Sequence, residues 1–293
     1  MRSDSQTRLL YGANVHANGI RQHYLRYGGS GAPLILLPGI TSPAPTWGFV
    51  AERLCERFDT YVLDIRGRGL SQAGPDLDYG LDALAQDVVA FVEALDLGGV
   101  TVLGHSMGAR IGLRAAAQLG ASLASLVLVD PPVSGPGRRP YPTPLAWYTE
   151  SLRLARSGAG AESLRRFTPT WSDEHLRVRA EWLHTCEETA VTAAYEGFHQ
   201  DDVHKDLRAL ATPSLLMVAG QGVILPEDVE EIRQLAPALQ IAWVESAGHM
   251  IPFDDFDGFF RAVDPFFLAC RRLTRAPTNP QMTQRVQLPR TDA

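Results

Sequence analysis

Val100-Thr101-Val102-Leu103-Gly104-His105-Ser106-Met107-Gly108 leads from a short, apolar, β-branched run into the alanine-rich residues 109–119. The first part reads as a strand and the second as a helix, so Ser106 stands on the turn between them with a glycine on either side. A sharp strand-to-helix bend holds a hydroxyl clear of the backbone. The small neighbours let strand and helix approach, and the helix N-terminus favours negative charge developing nearby. The stretch predicts a nucleophile and, with it, a sheet that alternates with helices.

The flanking sequence agrees with that pattern. Residues 20–27 read as a strand, Gly28-Gly29-Ser30-Gly31 as a turn and residues 33–37 as a buried strand. Residues 47–58 have helical spacing, 60–63 form a short apolar strand, and 81–95 read as an amphipathic helix. After helix 109–119 the run Leu126-Val127-Leu128-Val129 stops at Asp130-Pro131-Pro132, a strand end. The alternation then breaks. Six prolines fall between Pro131 and Pro144, followed by helical segments rich in Arg, Glu and aromatic residues. It resumes with strand 214–218, a helix through 227–235, strand 240–244 and a last helix over 255–270. The expectation is an α/β fold: a mostly parallel sheet flanked by helices, with a helical cap inserted after the sixth strand. The core comprises 1–130 and 206–270, the cap 131–205, and residues 271–293 read as a disordered tail. The ligand site of such a sheet lies beyond the carboxyl ends of its strands.

Composition narrows the function classes. The chain of 293 residues is 45% apolar, enough for one large core. A net charge of −6 offers no basic surface for nucleic acid, and a small-molecule ligand is favoured. Lys205 is the single lysine among 27 basic residues, which argues against a catalytic lysine. Cys55, Cys186 and Cys270 are far apart and lack zinc-site spacing, pointing to a reducing compartment rather than a disulfide framework. No signal-like segment or long apolar run is evident, so the expectation is a cytoplasmic protein without membrane association.

A serine hydroxyl needs a base within hydrogen-bond reach, usually a histidine oriented by a carboxylate. His249, in the loop after the last predicted strand, is the candidate base. The order serine, acid, histidine fits the α/β-hydrolase arrangement, whose acid usually follows the next-to-last strand. Here Val223 occupies that region. Asp130, at the preceding strand tip, is preferred as the acid; Glu227 and Asp228, at a predicted helix start, remain alternatives. The oxyanion of acyl transfer needs two backbone donors, assigned to the N–H of Met107 and of Ile40, since Pro38 has none. Arg66-Gly67-Arg68-Gly69 lacks the ending of a phosphate loop and reads as structural. His199, His204, Asp201 and Asp202 match no metal-ligand spacing. Arg138 and Arg139, with Trp147 and other cap aromatics, could clamp a substrate carboxylate, although packing explains the aromatics at least as well and surface solvation explains the arginines slightly better.

Several segments resemble one family more closely than the fold requires: PGITSPAPTWGFVAERL from residue 38, DIRGRGLS from 64, GPDLDYG from 74, GHSMGARIGLRAA from 104, DPPVSGPGRR from 130, RAEWLHTC from 179 and AGHMIP from 247. They resemble the N-formylmaleamate deformylase family, bacterial α/β hydrolases of nicotinate degradation. The resemblance implies release of formate and maleamate, no metal or cofactor, and Ser106, His249 and Asp130 as the triad. Other readings that the residues allow are an esterase or amidase for another small acid, a carbon–carbon bond hydrolase, and a slow covalent receptor on the same fold.

Overall fold

A computed structural model describes residues 8–275. Its strands are β1 (Leu9–Ala17), β2 (Ile20–Tyr27), β3 (Pro33–Leu37), β4 (Asp59–Leu63), β5 (Val100–His105), β6 (Leu123–Val129), β7 (Ser214–Gln221) and β8 (Gln240–Gly248). They form one sheet in the order β1-β2-β4-β3-β5-β6-β7-β8. β1, β2 and β4 pair antiparallel, and every pairing from β4 through β3 to β8 is parallel. The helices are α1 (Gly48–Leu54), α2 (Leu81–Ala94), α3 (Met107–Leu119), α4 (Leu145–Arg156), α5 (Ala161–Leu164), α6 (Asp173–Trp182), α7 (Glu188–Gln200), α8 (Val203–Arg208), α9 (Pro226–Leu235), α10 (Ile251–Asp254) and α11 (Phe256–Arg275).

The central strands read as continuous apolar runs because both faces of the sheet are covered. Ile35 and Val102 pack into one layer with Val88 of α2 and Ile111 of α3. Leu36 and Leu103, one position on, pack into the other layer with Leu54 of α1 and Phe259 and Val263 of α11. Burying each such side chain contributes about 1.5–3 kcal/mol, so strand register is strongly fixed.

Several features depart from the sequence expectation, among them the longer β7 and β8. β1 precedes the first strand expected from the sequence, at residues 20–27; it is an edge strand with mostly exposed or half-buried residues and so lacks the apolar run that marks the inner strands. α1 is shorter than residues 47–58, because a 3₁₀ turn at Ala44–Trp47 precedes it and the chain turns back before β4. α11 runs to Arg275, five residues past the expected end at 270, with no glycine or proline after Pro265 to stop it within that span. The rest of the expected tail, 276–293, lies outside the described residues.

Helices α4 to α8 lie between β6 and β7. The expected boundary at residue 205 falls inside α8, whose Asp206 pairs with Arg114 of α3 and ties the insertion back to the core. Among the described residues no helix is long and apolar enough to cross a membrane.

Candidate active site

Ser106 lies between the last residue of β5 and the first of α3, with φ 54° and ψ −116°. A non-glycine residue in this region costs about 1–3 kcal/mol and persists only where its surroundings dictate it. They do so here. The Ser106 N–H donates to the Val129 carbonyl at 2.9 Å, and Cβ atoms built at Gly104 and Gly108 would overlap the Gly108 and Leu37 backbone. Gly108→Ala is therefore expected to cost about 3 kcal/mol or more, since the overlapped atoms are backbone and cannot turn aside. Gly74→Ala, into open space, should be close to neutral. Urea midpoints of the two variants check this.

β6 and β8 bring the other two groups to the same rim. The Ser106 hydroxyl donates to His249 Nε2 at 2.9 Å, and His249 Nδ1–H donates to Asp130 Oδ2 at 2.7 Å. Asp130 is fully buried at the tip of β6 with φ 44°. His105, beside the serine, is pulled down to about 3 by burial and by the nearby His249 charge, so it is neutral. Its Nε2–H donates to the His249 carbonyl at 2.9 Å and anchors the loop that carries the base.

The structure also shows how the chain does without a carboxylate at Val223. The Val223 N–H donates to Asp130 Oδ2 at 3.0 Å, so this position supports an acid supplied by the neighbouring strand. A Cβ at Gly222 would overlap the Asp130 carboxylate, which explains the glycine. Asp228 is otherwise engaged: its carboxylate accepts the Leu225 N–H at 2.8 Å at the start of α9 and pairs with Arg139. Glu227 is exposed on the first turn of that helix.

Ser106 and His249 open into a cavity of about 300 Å³ between the sheet rim and the inserted helices, the lower end of the small-ligand range. Ile40 and Trp147 line it. Met107 is the first residue of α3, directly after the serine. Arg68, fully buried in a loop that the sequence marks as structural, touches both candidate oxyanion residues. Its Nε–H donates to the Ile40 carbonyl at 3.1 Å and its Nη2–H to Met107 Sδ at 3.6 Å. The Tyr141 hydroxyl lies 3.4 Å from His249 Nε2 and 3.1 Å from the Tyr148 hydroxyl. Burial pushes both phenols up, so they stay protonated at neutral pH.

The arginine clamp requires correction. Arg138 makes a two-pronged ion pair with Glu231, Arg139 pairs with Asp228, and neither lines the cavity. Acidic residues of α9, remote in sequence, satisfy them. His199 Nε2 accepts the Tyr141 N–H at 3.2 Å, and among the described residues no cluster of three or more His, Cys, Asp or Glu could hold a metal ion. The cation that does line the cavity is Arg179 of α6, which nothing in the sequence pattern distinguishes from the other arginines of that segment.

The alpha/beta hydrolase family model matches residues 34–262, which span the sheet, the serine turn and the histidine loop. The chain belongs to the α/β hydrolase family. Within it, the chain is 62% identical over 259 residues to N-formylmaleamate deformylase of Pseudomonas putida (strain KT2440), covering 88% of this chain and 97% of that one. The crystal structure of the N-formylmaleamic acid deformylase of Pseudomonas putida S16 superposes with a TM-score of 0.84 at 57% identity, over 86% of this chain and all of that one. A second α/β hydrolase structure, E-2-(acetamidomethylene)succinate hydrolase, shares the fold with a TM-score of 0.74 at 23% identity, over 88% of this chain and 98% of that one.

Proposed function

We propose that the chain hydrolyses N-formylmaleamate to maleamate and formate through a formyl-enzyme on Ser106. The observation that carries the reading is the hydrogen-bonded series Ser106, His249, Asp130 opening into a small cavity. The likeness to two deformylases supplies the substrate.

Asp130 holds the His249 tautomer that leaves the Nε2 lone pair facing the hydroxyl. As Ser106 Oγ attacks the formyl carbon, its proton passes to His249 Nε2. The formyl oxygen becomes an oxyanion, held by the N–H groups of Ile40 and Met107. Collapse breaks the bond from the formyl carbon to nitrogen, and His249 returns the proton to that nitrogen, releasing the primary amide maleamate. The leaving anion is shared with a second carbonyl, which makes this bond weaker than an ordinary amide. Water then attacks the formyl ester, giving its proton to His249; the ester bond breaks, Ser106 recovers the proton, and formic acid leaves as formate.

The test is incubation of the purified protein with N-formylmaleamate and assay of both products. Formate and maleamate should appear in equal amounts at a kcat of roughly 1–10³ s⁻¹, the ordinary enzymatic range. Formate release no faster than the buffer control, with rapid turnover of another small ester or amide, would replace this reading with a different acyl substrate.

A further inference from the structure

Arg179 differs from the other buried arginines among the described residues in having donors left over. Arg66 is paired with Asp87; Arg68 donates to the carbonyls of Ile40, Arg66 and Ala190; Arg110 is surrounded by five backbone carbonyls. Arg179 is only 2% exposed, makes no ion pair among the described residues, and has one protein acceptor, the Thr41 carbonyl, 3.4 Å from Nη1. Its Nε and Nη2 have no partner. These two groups form one edge of the guanidinium plane, the edge that meets both oxygens of a carboxylate side-on. The ring centroids of Trp147 and Trp171 lie 5.8 and 5.5 Å from the guanidinium carbon, within cation–π range. The hydroxyl of Thr168, also buried, unpartnered and on the cavity wall, is a third free donor.

Burial draws Arg179 down only to about 10, so it remains a cation at neutral pH. A buried charge without a counter-charge is costly, and the missing partner has to come from outside. We infer that Arg179 receives the substrate's carboxylate through Nε and Nη2, with Thr168 as an auxiliary donor, and thereby restricts the cavity to small acyl amides that carry one negative charge. The inference rests on the deformylase reading for its choice of substrate: N-formylmaleamate has its only carboxylate at the end opposite the formyl group. A neutral substrate would leave the guanidinium unpaired in a closed site, so charge recognition and catalysis share one cavity.

The experiment compares kcat and KM for N-formylmaleamate and for its neutral analogue with a carboxamide in place of the carboxylate, using wild type, Arg179→Gln and Arg179→Lys. In wild type, maleamate should compete at least about 100-fold more tightly than the uncharged diamide. Arg179→Gln should raise KM for the anionic substrate about 100-fold or more and erase most of the preference over the neutral analogue, whereas Arg179→Lys, which keeps charge but loses the fork, should recover part of it. Equal losses on both substrates would assign Arg179 a structural role and overturn the inference. If Arg179→Gln does not fold, the wild-type comparison and Arg179→Lys still decide, and equal inhibition by maleamate and the diamide overturns it. Turnover of N-formylmaleamate that does not depend on Arg179 leaves the deformylase reading intact and removes the inference. Absence of turnover, with maleamate still protecting Ser106 from a fluorophosphonate in an Arg179-dependent way, does the reverse.

Discussion

Ser106→Ala is expected to lower kcat for formate release by roughly 10⁴–10⁶-fold while leaving the protein folded. The size follows from what the hydroxyl supplies. Without Oγ there is no acyl acceptor, His249 has no proton to take, and the two-step route through a formyl ester is closed. What remains is attack by water beside the oxyanion donors, worth only part of the original acceleration. Folding should be little affected: alanine fills nearly the same space, the Ser106 N–H bond to the Val129 carbonyl is a backbone contact, and the neighbouring glycines are untouched. Two measurements check the assignment. Fluorophosphonate labelling should disappear in the variant, and calorimetry should show that it still binds N-formylmaleamate with an affinity near the wild-type KM. Residual turnover within tenfold of wild type would remove Ser106 from the chemistry.

The sequence displays the parts of this site whose signal is local. Gly104, Ser106 and Gly108 announce a tight strand-to-helix turn because only small residues fit where two elements meet at an angle. The inner strands show as apolar runs because both faces are covered. β1 lacks that signal, since an edge strand facing solvent needs no such run. The acid is a different problem. Asp130 and Asp228 each end or begin an element near the same rim, and chain order cannot say which carboxylate turns towards an imidazole 119 residues from Asp130. Arg138 and Arg139 look available until Glu231 and Asp228 are seen beside them. Arg179 looks like one more helical arginine until its surroundings show that no acid among the described residues pairs with it. A side chain's lack of a partner is a property of the fold, and no window of residues contains it.

Replacing Asp130 by Asn is expected to reduce kcat by about 10³–10⁴-fold, and replacing Asp228 by Asn to change it by less than about twofold. The hydrogen bonds explain the difference. Asp130 Oδ2 accepts both the His249 Nδ1–H and the Val223 N–H, while Oδ1 is buried without a partner. In the variant the Val223 N–H favours the amide oxygen at the Oδ2 position, while an amide nitrogen there would hold His249 in the tautomer that cannot take the Ser106 proton. Either way the negative charge that steadies the imidazolium as the Ser106 proton arrives is lost. A loss of 10³–10⁴ corresponds to roughly 4–5.5 kcal/mol at 1.36 kcal/mol per tenfold, a size that a buried carboxylate in contact with a half-buried developing cation can supply. The amide nitrogen is also left buried without an acceptor, so a stability loss of about 1–3 kcal/mol should accompany the kinetic one. Asp228 serves the start of α9 and Arg139 instead, and its amide variant should lose about 0.5–2 kcal/mol of stability with the turnover of wild type. Urea titrations alongside single-turnover rates separate the two kinds of loss. A larger kinetic effect at Asp228 would mean that the imidazole turns towards α9 during the reaction and that Asp130 only supports the turn at the end of β6.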